Sequence, residues 1–155
     1  MSLLEINELE IRYDGQVVVD NASFMLRTGE TVGLVGESGS GKSQTALAIM
    51  GLLPGNARSS GSIRFDGKEL LGMDRPDLER VRGSRIAMVF QDPTQALNPF
   101  VSIGAQLTRV LEHHERARGA GAKQQVIDML DRVGLPDAKR PAPFQIAGVC
   151  CRQAG

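Results

Sequence analysis

The sequence predicts an α/β fold: paired strands, an apolar β-like run entering a glycine-rich loop with a helix leaving it, and further helices. Three observations predict it. The apolar run Thr31-Val32-Gly33-Leu34-Val35 leads into a glycine-rich stretch, and the helix-like run Ser43-Gln44-Thr45-Ala46-Leu47-Ala48-Ile49-Met50 leads out of it. Upstream, residues 3–13 and 17–27 are rich in Leu, Ile, Val and Phe with partial alternation, and Asp14-Gly15 between them is a strong hairpin signal. Downstream, apolar residues recur at helical spacing.

The remaining elements follow in order. Gly61-Ser62-Ile63-Arg64-Phe65-Asp66-Gly67 reads as a short strand closed by a turn. Asp74-Arg75-Pro76 opens a helix running to about Arg82, with Asp74 as cap and Pro76 in the first turn. Arg85-Ile86-Ala87-Met88-Val89-Phe90 is an apolar run expected to be a buried strand, ending at Gln91-Asp92-Pro93. Ile103, Leu107, Val110 and Leu111 share one helix face, and Val126, Met129, Leu130 and Val133 another. Gly119 and Gly121 separate these helices and Gly134 ends the second. From Leu135 the chain is expected to be loop, with Pro136, Pro141 and Pro143.

Composition narrows the function classes. The chain has 155 residues, enough for one domain of ordinary size. Lys+Arg and Asp+Glu balance at 18 each, so no basic excess points to nucleic acid. The apolar runs are too short to span a bilayer. Met1-Ser2-Leu3-Leu4-Glu5 lacks the regions of a signal peptide, and an intracellular location is expected. Cys150 and Cys151 fit neither a zinc spacing nor a C-x-x-C motif. His113 and His114, as neighbours on a helix, point in different directions and do not suggest a metal site.

Residues 36–43 read Gly-Glu-Ser-Gly-Ser-Gly-Lys-Ser, a complete G-x-x-x-x-G-K-[ST] pattern in its strand–loop–helix context. A nucleotide tail carries several negative charges and needs many donors at close range. Gly36, Gly39 and Gly41 allow backbone turns closed to other residues, so that successive N–H groups can line one concave nest. The following helix adds its positive end. Lys42 is expected to reach the β and γ phosphates, and the Ser43 hydroxyl to hold Mg²⁺. Glu37, Ser38, Ser40 and Gln44 complete the expected contacts with ATP. The plain alternative is a flexible glycine–serine turn.

Other stretches share the order and spacing of one family. The loop, the run Val89-Phe90-Gln91-Asp92-Pro93 and the run Ala96-Leu97-Asn98-Pro99-Phe100 together resemble the ATP-binding subunit of ABC transporters. Within it, Phe-Gln-Asp-Pro followed by Leu-Asn-Pro is similar to the importers for dipeptides, oligopeptides and nickel, as is Val35 to Ser43 followed by Ala48-Ile49-Met50-Gly51-Leu52. The resemblance runs from Leu4 to about Gly148. It implies a P-loop NTPase fold, with residues 1–92 as antiparallel β subdomain and partial parallel core sheet carrying the loop, and 93–148 as helical subdomain. It implies that Tyr13 stacks on adenine, that Gln91 contacts Mg²⁺ and the attacking water, and that Leu97 and Phe100 belong to a surface docking on a membrane-spanning permease. A second ATP-binding subunit is the other implied partner, and the cytoplasmic face of the membrane the implied location. A peptide is the first expected cargo and nickel the second.

The chain departs from that family in its last part. After Phe90 no apolar run closes on Asp-Glu, and no histidine stands where the switch histidine is expected. Where Leu-Ser-Gly-Gly is expected after Pro143-Phe144-Gln145, the chain reads Ile146-Ala147-Gly148-Val149-Cys150-Cys151. Losing one G from GGG GGT ATG and borrowing a following C gives Gly-Val-Cys, so residues 149–155 are read as an out-of-frame tail. Such a chain is expected to bind Mg-ATP weakly without turnover and to expose apolar surface. A non-functional remnant and a different P-loop enzyme, such as a small kinase, are the alternatives.

Overall fold

The computed structural model describes residues 2–92, 97, 98, 100–114 and 119–134. They fall into two compact units, Met1–Ala87 and Met88–Gly155.

The first unit is built on a hairpin. Strands β1 (Ser2–Tyr13) and β2 (Gln16–Arg27) are joined by Asp14-Gly15, whose φ angles are 48° and 88°. Positive φ at both turn positions matches the right-handed twist of the strands, which is why Asp-Gly serves here. β3 (Ala57–Phe65) pairs antiparallel with the other side of β1, and β4 (Lys68–Glu69) returns along β3 through Asp66-Gly67. The sheet order is β2-β1-β3-β4, with β1 inside it.

The inward side chains of β1 are Leu4, Ile6, Leu9 and Ile11. Two have even numbers and two odd, so strict alternation would send one pair to solvent. A bulge prevents this. Asn7 pairs with Ser62 and Glu10 with Ser60, so β1 spends one residue more than β3 over the interval. The same extra residue appears against β2, between the pairs Ile6–Phe24 and Leu9–Ala22. Glu8 takes φ 49° there, and its N–H donates to Ser23 Oγ at 2.8 Å. The bulge turns Leu9 and Ile11 onto the face already used by Leu4 and Ile6. Val19, Ile63, Leu70, Ala48 and Leu78 close over that face.

Two helices pack on this sheet unit: α1 (Lys42–Ile49) and α2 (Arg75–Val81). α2 starts after Asp74 with Pro in its first turn, as its sequence predicts, but the Asp74 side chain makes no capping hydrogen bond. Arg82, just past its end, donates from Nε to Met50 O at 2.6 Å and from Nη2 to Gly51 O at 2.5 Å. It thereby satisfies carbonyls at the C-terminal end of α1, where a cation is also favoured by the helix dipole.

The second unit contains α3 (Ile103–His114) and α4 (Ala120–Arg132). Leu111, Val126 and Leu130 form its buried cluster, with Leu107 against them. Val110, Met129 and Val133, expected on the same faces, are 54%, 44% and 63% exposed. The contact is therefore narrower than the periodic stripe. Gln106 fixes the entry to α3: its amide accepts from Asn98 N–H and donates to Asn98 O and Val101 O.

The antiparallel β subdomain and the helices stand as expected, except that Gly121, expected between the last two helices, lies inside α4; the two strands of the parallel core do not form. Residues 30–37 and 87–90 carry no strand, and Ile86 makes only an isolated bridge to Arg82. A parallel strand exists by hydrogen bonding to neighbours and is normally covered on both faces. Among the described residues every named strand belongs to the antiparallel sheet, which leaves these runs without a ladder. Val35 is accordingly 96% and Val89 88% exposed. The expectation of loop from Leu135, the Cys150–Cys151 pair and the 149–155 tail lie outside the described residues.

Glu69 ties the short strand β4 to β3. Its carboxylate accepts from Ser62 Oγ at 2.5 Å, Ile63 N–H at 2.8 Å and Leu71 N–H at 3.2 Å, with Arg64 Nε at 3.6 Å. Partial burial pushes its pKa up, but the hydrogen bonds from Ser62, Ile63 and Leu71 and the charge of Arg64 outweigh this and hold it below the usual 4.5. A lowered folded pKa stabilises fully above the unfolded value and is lost as pH falls through the folded one. Glu69→Gln is therefore expected to cost about 1 kcal/mol at pH 7, less than the roughly 1.5–3 kcal/mol of a buried charged hydrogen bond because the side chain is 39% exposed. Thermal melts should show the gap to wild type narrowing as pH falls from about 5 toward 3. A gap that stays constant over that range would contradict this account of the carboxylate.

Candidate phosphate-binding site

The loop at 36–43 folds as a tight turn running into α1. Gly39 and Gly41 have φ 85° and 83°, a region costly for any residue with a Cβ. At Gly41 the constraint is also spatial: a Cβ there would stand 2.6 Å from both Val18 O and Val19 Cγ2. Only glycine lets the loop pass this close to β2. Ser40 N–H closes the turn on Glu37 O at 3.2 Å.

α1 begins directly after Gly41. Its first bond runs from Thr45 N–H to Gly41 O at 2.8 Å, and Thr45 Oγ1 donates to the same carbonyl at 3.1 Å. The N–H groups of Lys42, Ser43 and Gln44 precede that bond and belong to the set a helix leaves unpaired within itself. No acidic residue stands in this first turn to compete for them. Residues 39–44 and Val18 line a cavity of about 190 Å³. Sites for whole drug-sized ligands usually measure about 300–1,000 Å³. The cavity is thus on the scale of a phosphate chain rather than of a whole nucleotide.

Lys42 spends its ammonium on its own loop. Nζ donates to Gly36 O at 2.8 Å, Glu37 O at 2.6 Å and Ser40 Oγ at 3.1 Å. An ammonium has three donors, so an arriving phosphate oxygen must exchange with one of these acceptors. The exchange replaces a neutral acceptor by an anionic one, which is the stronger bond.

Tyr13, at the end of β1, donates its hydroxyl to Gln44 Oε1 at 2.5 Å, which joins the hairpin to the first turn of α1. The structure thus brings Tyr13 and Gln44 together with the loop. Gln91 lies in the other unit, exposed and outside regular structure. Leu97 is half-buried and Phe100 is 94% exposed. His113 and His114 meet edge to face with ring centroids 4.7 Å apart. Among the described residues no group of three or more His, Cys, Asp or Glu could hold a metal. Magnesium commonly takes hydroxyl, phosphate and water oxygens rather than such a cluster. The exposed Ser43 hydroxyl beside the cavity fits that set.

Sequence reasoning missed two contributors. Val18 lines the cavity through its place on β2, and nothing in an apolar strand residue signals this. Arg82 holds the far end of α1 from 31 and 32 residues away, and no local pattern marks it.

The model of the ABC transporter family matches residues 19–148. The chain is 46% identical over 142 residues to the oligopeptide transport ATP-binding protein OppD of Salmonella typhimurium, covering 89% of this chain and 42% of that protein. It is 45% identical over 143 residues to OppD of Escherichia coli, covering 90% and 42%. OppD of Haemophilus influenzae is 45% identical over 142 residues, covering 89% and 44%. The chain therefore spans less than half the length of these curated relatives. No helix among the described residues is long and apolar enough to cross a membrane.

Proposed function

The chain belongs to the ABC transporter family, and from that premise we propose that it is the ATP-binding, energy-coupling part of a peptide importer. The observation that carries this reading is the identity of 45–46% to three oligopeptide transport ATP-binding proteins over 89–90% of the chain, with the complete loop at 36–43 inside the match. Peptide is favoured over nickel because those relatives are named for peptides. A small kinase is disfavoured because the match extends beyond the loop to residue 148.

The residues at the loop would divide the work as follows. The backbone N–H groups of residues 42–44 and the glycine turn would receive phosphate oxygens. Lys42 would exchange its loop carbonyls for phosphate oxygens. Ser43 would hold Mg²⁺, which when bound neutralises charge on the phosphates. The Tyr13 ring would lie against adenine. Gln91 would orient water and sense the terminal phosphate. Leu97 and Phe100 would belong to the surface that meets a permease, at the cytoplasmic face of the membrane and beside a second ATP-binding subunit.

Turnover is a separate matter. The 155 residues hold no apolar run followed by Asp-Glu after Phe90. The chain alone is therefore expected to bind Mg-ATP weakly without hydrolysing it. Calorimetric titration with ATP and Mg²⁺, beside a phosphate-release assay, tests both parts. The expected result is saturable binding with no release above a protein-free control. Phosphate release that depends on Lys42 would overturn the binding-only reading. Transfer of phosphate to an added small acceptor would replace it with a kinase.

A further inference from the structure

The bond between Tyr13 and Gln44 reaches across 31 residues and joins two elements that differ in kind. Tyr13 is held firmly. It pairs with Gln16 on one side and Ala57 on the other, and its ring packs against the core of the first unit. Gln44 is the third residue of α1 and lines the loop cavity.

A carboxamide has two unlike ends. Its oxygen only accepts and its NH₂ group only donates. A phosphate chain at neutral pH offers almost nothing but acceptors. An amide free to rotate would present either end to it with similar ease, and one of the two is repulsive. In the structure the Tyr13 hydroxyl donates to the oxygen, which leaves the NH₂ group as the end for a ligand.

We infer that Tyr13 is a positioning residue that acts through Gln44: its hydroxyl holds the amide with the N–H donors available to phosphate oxygens in the loop cavity. The inference rests on the nucleotide-binding reading and deepens it. It assigns the hydroxyl of Tyr13 to the phosphates, a part distinct from that of the ring against the base. The benefit is preorganisation, since the amide is oriented before the ligand arrives.

The test uses two ligands with Mg²⁺, ATP and inorganic tripolyphosphate, titrated calorimetrically against the full chain. Tyr13→Phe keeps the ring and removes only the hydroxyl. It is expected to weaken tripolyphosphate and ATP by the same factor, about three- to tenfold, the scale of one hydrogen bond. In a Gln44→Leu background, Tyr13→Phe should cause no further loss, because the hydroxyl then has nothing to orient. Gln44→Met serves in place of Gln44→Leu if that variant does not fold. A base platform alone predicts otherwise: tripolyphosphate, which has no base, would bind Tyr13→Phe as it binds wild type. That result, or full additivity of the two substitutions, overturns the inference and leaves nucleotide binding intact. A wild-type chain that binds neither ligand overturns the nucleotide reading, and this inference with it.

Discussion

Lys42→Ala is expected to weaken ATP binding about a hundredfold, the loss of about 2.7 kcal/mol or one to two charge-assisted hydrogen bonds. The fold should survive the change. The three bonds from Nζ all end on oxygens of the exposed loop, and exposed contacts of this kind contribute little to stability. Thermal melts should shift by less than about 4 °C, while titration with ATP shows most of the affinity gone. Lys42→Arg is not expected to rescue it. The guanidinium is planar and larger, and the place it would enter is shaped by Gly36, Glu37 and Ser40 around a compact ammonium. Unchanged ATP affinity in Lys42→Ala would remove the loop from the binding site altogether.

Gly61→Ala should unfold far more of the chain than Lys42→Ala. Gly61 sits opposite the β1 bulge with φ 96°. An added Cβ would stand 2.3 Å from Glu8 O and 2.7 Å from Asn7 O. Both are backbone atoms held by the sheet on two sides, so no side chain can swing away to make room. The strand itself must move, and the bulge with it. We expect a cost of about 3 kcal/mol, combining a disfavoured φ with displaced backbone. For a single domain that is a large share of a total of about 5–15 kcal/mol. Denaturant unfolding measures it. Gly67→Ala, at φ 75° with open space around the position, is the internal control and should cost about 1 kcal/mol. Equal costs at the two glycines would refute the role given to the bulge.

The bulge also marks what the sequence made legible and what it did not. Asp14-Gly15 announced its hairpin, and Asp74-Arg75-Pro76 its helix, because turn residues and a proline in a first helical turn act locally. The loop at 36–43 was legible for the same reason: its pattern is contiguous. The alternation along β1 looked only partial because one inserted residue reverses the parity between Ile6 and Leu9, and no side chain announces the insertion. Thr31–Val35 and Arg85–Phe90 read as strands from composition alone. Strand formation depends on a neighbour, which composition does not supply, and neither forms a strand among the described residues. The narrow contact between α3 and α4 is a third case. A periodic stripe shows which face can be buried, not how much of it a partner covers.

The clasp of Arg82 on Met50 and Gly51 has a consequence for how the binding loop keeps its shape. α1 is eight residues long, too short to persist as an isolated helix in water. Its beginning is pressed against β2 at Gly41, and its end is gripped by a residue that follows α2. The residues that line the cavity are thus held by strands and helices that are remote in sequence. The motif is portable as text but not as an object: a peptide copied from residues 36–51 would carry every letter of the pattern and none of the scaffold that makes it a cradle.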